Sequence, residues 1–270
     1  MSDEAEELKA FEQALRRYST LLGLRINVEL AKSVEAVQAK IMKDVEAFLS
    51  SVDLGSPDLS NLLARLSDSG RLSNYIVEVG RALKDEVSPD KAEESLTKAL
   101  EGDVNSRGSR SALLVFQAVA RAYASHYERK NGTVEEVTAY CPLCGSESRT
   151  MVRVGEEYLL VCHLCGYAWR VSRKTLVCPF CGNSNPLSIG IFMDKDRRLG
   201  LAYCQECGSS WRVVLDERVA SAPRILLPLL ALAAERLRGA LLGGASGEEL
   251  HEGSSEGQLG GGNDETQGQQ

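Results

Sequence analysis

Cys141-Pro142-Leu143-Cys144-Gly145, Cys162-His163-Leu164-Cys165-Gly166, Cys178-Pro179-Phe180-Cys181-Gly182 and Cys204-Gln205-Glu206-Cys207-Gly208 are four copies of one short phrase, and they hold all 8 cysteines of the 270-residue chain. In such a turn the two-residue gap aims both sulfurs at one ion. Glycine just after the second cysteine permits the left-handed φ that frees backbone amides towards sulfur. Two turns on neighbouring hairpins supply four sulfurs at tetrahedral corners, about 2.3 Å from a zinc ion. Four turns therefore predict two metals.

A repeat gives the pairing. Cys141 and Cys178 lie 37 positions apart, while Cys162 and Cys204 lie 42 apart, as do Trp169 and Trp211. The chain thus carries two tandem ribbons. One site is predicted from Cys141, Cys144, Cys162 and Cys165, the other from Cys178, Cys181, Cys204 and Cys207. Each repeat closes on the same words, CHLCGYAWR at 162–170 and CQECGSSWR at 204–212. Trp169 and Trp211 are expected as ribbon core walling off the sites, because small sheets need a large apolar residue to bury.

Disulfides would need an oxidising compartment or a hyperthermophile's cytosol. A thioredoxin-type CxxC opens a helix in a βαβ unit rather than ending a hairpin. Metal is the reading that stands. Four thiolates hold zinc or a single rubredoxin-type iron equally well by geometry, so the spacing leaves both open. Neither site has an obvious open position for substrate, which argues against hydrolysis at the metal.

Working outward, apolar residues from Glu6 to about Lys130 recur at helical spacing, as in Leu8, Phe11, Leu15 and Val34, Val37, Ile41, Val45, Phe48. Helix starts are expected at Ser56-Pro57 and Ser88-Pro89, where a hydroxyl can cap and proline fits the first turn. With breakers at Asp53-Leu54-Gly55, Asp68-Ser69-Gly70 and Gly102-Asp103, roughly five or six helices follow. The last should run from about Ser109 to Lys130, burying Leu113, Leu114, Phe116, Val119, Ala120, Tyr123 and Tyr127. The fold class is α+β: an all-helical domain (1–132), two tandem rubredoxin-like or zinc-ribbon modules of four cysteines each (133–174 and 175–217) and a terminal helix packing on the rest (218–242). The Gly/Ser/Gln/Glu tail, 243–270, has almost nothing to bury and reads as disordered.

The net charge of -7 and pI near 5.2 argue against a surface adapted to nucleic acid. The ribbon charges are near balance, and Asp194 to Arg198 reads as a solvated hairpin tip. The acidic amino terminus does not read as a secretory signal, so a cytoplasmic location is expected. The most apolar stretch, Ile225 to Ala234, is about half of the roughly 20 residues a membrane span needs. No catalytic constellation emerges from the 3 histidines. His126 reads as a helix-surface residue, His163 as an exposed knuckle side chain, and His251 lies in the tail. Without GxGxxG, Walker or GxSxG motifs, no enzyme is expected and no catalytic or nucleotide-binding residue is assigned.

A helical domain followed by two ribbons, with Gly155, Tyr158-Leu159 and Cys162-x-x-Cys165 leading to Trp169, Arg173 and Cys178-x-x-Cys181-Gly182, resembles the FdhE family of formate dehydrogenase accessory proteins. The resemblance is closest from Ala139 to Leu215 and extends loosely to Phe11, Arg17 and Leu21-Leu22 at the amino end and to the apolar helix after Asp216. It implies a cytoplasmic, rubredoxin-like iron-binding protein that contacts the catalytic subunit of formate dehydrogenase and is required for its activity, with the eight cysteines as ligands. The first expectation is therefore an assembly factor. The alternatives are a zinc-ribbon nucleic-acid or transcription-associated module, and electron transfer through iron.

Overall fold

The computed structural model describes residues 2–52, 59–85, 87–103, 105–194 and 199–216, together with Ala220, Leu226 and Leu229. The predicted boundary at 53–58, the hairpin tip at 195–198, nearly all of the terminal helix, the tail and His251 lie outside the described residues.

Among the described residues six α-helices precede the cysteines: α1 (Ser2–Leu21), α2 (Val28–Ser51), α3 (Leu59–Asp68), α4 (Arg71–Leu83), α5 (Ala92–Leu100) and α6 (Ser109–Asn131). Their ends follow local chemistry. Asn27 caps α2, its side chain accepting from the Leu30 amide at 3.1 Å. Pro89 opens a 3-10 turn ahead of α5, but the Ser88 hydroxyl makes no capping bond, so proline alone marks that start. Gly132 stops α6 at φ 73°, as its sequence predicts.

Helix α6 is the axis of the bundle. Phe116, Val119, Ala120 and Tyr123 are buried as predicted, whereas Leu113, Leu114 and Tyr127 are only partly so. Ala112, Val115, Ala118 and Ala122 are buried as well. Buried on most sides through its middle, α6 packs against α2, α4 and α5, and its alanines let them approach closely.

Six strands follow among the described residues: β1 (Thr150–Val154), β2 (Glu157–Val161), β3 (Ala168–Arg173), β4 (Ile189–Met193), β5 (Leu199–Cys204) and β6 (Ser210–Val214). Each ribbon is a three-stranded antiparallel meander, and the two are fused into one sheet of order β3-β2-β1-β6-β5-β4. The junction is the parallel pair β1·β6, with Thr150 opposite Arg212 and Met151 opposite Val213. The Arg212 amide donates to the Arg149 carbonyl at 2.7 Å.

Strand alternation sorts the sheet's side chains onto two buried faces. Met151, Leu160, Trp169, Val171, Ala202, Trp211 and Val213 join one continuous core with the helical bundle. Val152, Val161, Ala168, Leu199 and Val214 form the other face, covered by Leu15 and Tyr18 of α1 and by Leu226. Helix α1 reaches that face while held along α2 by the Lys32–Glu12 ion pair at 2.7 Å. Trp169 and Trp211 are 0% and 1% exposed, so both tryptophans are core, as their sequence position suggests.

Candidate metal centres

All four cysteine turns fold identically. In each, the first cysteine's amide bonds a carbonyl five residues on: Cys141 to Ser146, Cys162 to Tyr167, Cys178 to Asn183, Cys204 to Ser209, at 2.8 to 2.9 Å. The glycine amide returns to the first cysteine's carbonyl at 2.9 to 3.0 Å. Closing so tight a loop needs φ near +70°, and Gly145, Gly166, Gly182 and Gly208 stand at 69°, 70°, 76° and 71°. In the second ribbon the amides of Phe180 and Cys181 point to the Cys178 sulfur and those of Glu206 and Cys207 to Cys204, which favours thiolate.

The turns pair as the repeat predicts. Cys141, Cys144, Cys162 and Cys165 form one group and Cys178, Cys181, Cys204 and Cys207 the other, all sulfurs within a group lying within 4.8 Å of one another. Cross-turn separations are 3.6 Å (Cys141–Cys165), 3.5 Å (Cys144–Cys162), 3.7 Å (Cys178–Cys207) and 3.8 Å (Cys181–Cys204). A tetrahedron with metal–sulfur bonds of about 2.3 Å has edges of about 3.8 Å, whereas a disulfide would bring two sulfurs to about 2.05 Å. The donor set therefore fits a tetrahedrally held zinc or iron ion in each group.

Around the first group the structure corrects one expectation. His163 is not an exposed knuckle side chain. Its Nε2 lies 3.0 Å from Thr150 Oγ1 and 3.1 Å from Arg212 Nη1, and Arg212 also donates to Thr150 Oγ1 at 3.0 Å. Burial, with the Arg212 charge added, lowers its pKa to about 4, so the neutral ring can accept from Arg212. The imidazole thus seals the seam between the ribbons. Nothing in the local sequence signals this, because its partners come from β1 and β6. His126 lies half-buried on α6.

The bundle reaches the same turn. Gln117 Nε2 donates to the His163 carbonyl at 3.4 Å, and Gln38 ties to Gln117, to the Leu114 carbonyl and to Arg121. Tyr167 accepts from the Val134 amide at 3.0 Å and donates to the Gly132 carbonyl at 3.2 Å, fixing the end of α6 to the turn. A cavity of about 230 Å³ opens between α2, α6 and this turn, lined by Glu35, Arg121, Cys165 and Tyr167 among others. Arg121 is 9% exposed, and Glu35 Oε2 is buried with no hydrogen-bond partner among the described residues. Burial raises Glu35 to about 7 against the opposing pull of Arg121. Neither residue stands out in the sequence, where each is one charge on a helix.

The second group is held to the first by Arg149, whose Nη1 donates to the Ser210 carbonyl at 2.9 Å and whose guanidinium lies 4.8 Å over the Phe180 ring. Phe180 in turn tilts against Trp211 at 6.4 Å. Cys181 and Cys207 are exposed there, and the Ser209 hydroxyl and amide hold Cys207 down at about 6.

No protein-family model matches the chain, and no curated protein matches it. Among solved structures the chain is similar to the FdhE protein from Pseudomonas aeruginosa, at 18% identity and a TM-score of 0.47, covering 86% of this chain and 92% of that one. No helix among the described residues is long and apolar enough to cross a membrane.

Proposed function

We propose that the eight cysteines bind two metal ions, zinc or rubredoxin-type iron, and that the chain is a non-catalytic accessory protein of the FdhE kind, serving the catalytic subunit of formate dehydrogenase in the cytoplasm. The observation that carries the metal reading is the closure of both groups. The four thiols of each group would supply every corner of a tetrahedral shell, leaving no vacant position at which a substrate could meet the ion. Bound metal would then lock the ribbons as a rigid face on the helical platform, and the ions would supply much of the ribbons' folding free energy.

The client rests on the motif resemblance between Ala139 and Leu215. Tagged protein recovered anaerobically from its native cells, with metal analysis of the same eluate, tests both parts. Two equivalents of metal together with a formate dehydrogenase catalytic subunit support the reading. Two equivalents of zinc with RNA polymerase, ribosomes or nucleic acid would replace the client with the nucleic-acid alternative. Recovery without metal overturns the metal assignment itself.

A further inference from the structure

The two cysteine groups share one backbone geometry but not one environment. In the first, Cys141, Cys162 and Cys165 are buried and Cys144 is half-buried. Its knuckle residues Leu143 and Leu164 pack on the core, and on the bundle side Cys165 borders the cavity beside Tyr167 yet is itself only 3% exposed. In the second, Cys178 and Cys204 are buried while Cys181 and Cys207 are exposed. Pro179, buried, and Phe180, half-buried, turn inward from its first knuckle. Gln205, Glu206 and Gly208, like Gly182, lie in the surface.

This difference decides how an ion can leave. Release from four thiolates begins when an incoming ligand reaches the ion or a sulfur, and that first step needs access. Buried sulfurs backed by apolar side chains deny it.

Resting on the metal-binding reading above, we propose that the second centre is an exchange site that passes its ion to, or accepts it from, a soft thiol- or nitrogen-bearing ligand outside the chain, while the first centre retains its ion as long as the chain is folded. The transfer is ligand substitution. The divalent ion keeps its oxidation state, its bonds to Cys181 and Cys207 break first and those to Cys178 and Cys204 follow. The incoming donors form the new bonds, and the four freed thiolates take protons from solvent according to pH.

The test uses the full chain loaded with two equivalents of zinc and challenged, without denaturant, by the chromophoric chelator 4-(2-pyridylazo)resorcinol. One equivalent should leave in a fast phase and the other on the order of tenfold or more slowly. Cys207→Ser should abolish the fast equivalent and keep the slow one, and Cys144→Ser should do the reverse, with circular dichroism reporting whether each variant folds. N-ethylmaleimide on the loaded wild type gives an independent readout by mass spectrometry, with Cys181 and Cys207 expected to label first. Release of both equivalents in one phase, or labelling that begins in the first centre, overturns the proposal while leaving metal binding intact. A chain that binds no zinc overturns both.

Discussion

Replacing Glu35 by glutamine should stabilise the protein at alkaline pH and matter little in acid. The carboxyl stands at about 7 in the folded chain, against 4.5 for an ordinary glutamate, because burial penalises its charge more than Arg121 favours it. A folded-state value above the unfolded one means that the folded chain holds the proton more tightly. The stability this confers is complete below pH 4.5 and is lost as pH rises through 7. A rise from 4.5 to about 7 is worth about 3 kcal/mol, at about 1.4 kcal/mol for each tenfold in proton affinity. Glutamine cannot ionise, so its advantage over the wild type should grow by about 2 kcal/mol between about pH 5.5 and pH 8. With a urea dependence of about 2 kcal/mol per molar, the midpoints should separate by about 1 M more at the higher pH. With both proteins prepared in the same metal state, proton competition for the thiolates is common to them and cancels. A difference between variant and wild type that stays constant across this window would refute the reasoning. It would show that Arg121 keeps Glu35 ionised throughout.

Arg212→Ala removes both the bond to Thr150 and the charge facing His163. His163 should then titrate above its present value of about 4, as followed by its ring proton resonances, and unfolding should be easier by about 1–3 kcal/mol while metal content stays at two equivalents. At Gly190 an added methyl would run into the Tyr203 ring, which stacks on Phe192 at 5.7 Å. Gly190→Ala should therefore cost about 1–3 kcal/mol in thermal or urea unfolding, and an unchanged midpoint would mean that the ring swings aside freely.

The cysteine pairing is legible in the sequence because every part of its signal is local. The CxxCG turn needs two sulfurs, a left-handed glycine and a hairpin, all within a few residues, and the 42-residue spacing of Cys162 to Cys204 and Trp169 to Trp211 tells which turns come together in one group. Helix α6 is legible for a similar reason, since its apolar pattern and the stop at Gly132 are contiguous. The seam is not. Thr150 and Arg212 are 62 positions apart, and their pairing depends on a parallel register that no periodicity in either strand reveals. The burial of His163 is hidden for that same cause, and the Glu35–Arg121 cavity is invisible because a helix-face charge declares its burial only once α2 and α6 are side by side.

The seam also explains why a duplicated ribbon gives one sheet. A lone three-stranded ribbon leaves two edges of unpaired amides and carbonyls, a liability in so small a unit. Pairing the first strand of one ribbon, β1, with the third strand of the other, β6, satisfies one edge from each. At β3 the same kind of pairing is made by the chain's own connector, where Glu135 bridges Arg170 in parallel and the amides of Glu136 and Arg170 reach the Arg170 and Val134 carbonyls at 2.9 Å. Each third strand is thus covered by a parallel neighbour, and β4 alone carries an edge without one among the described residues. A head-to-tail repeat cannot treat its two ends alike. The first ribbon has its edges taken by its twin and by the connector, whereas the second keeps, among the described residues, an uncovered edge at β4 together with the exposed Cys181 and Cys207, so the contrast between the two cysteine groups runs with the order of the strands.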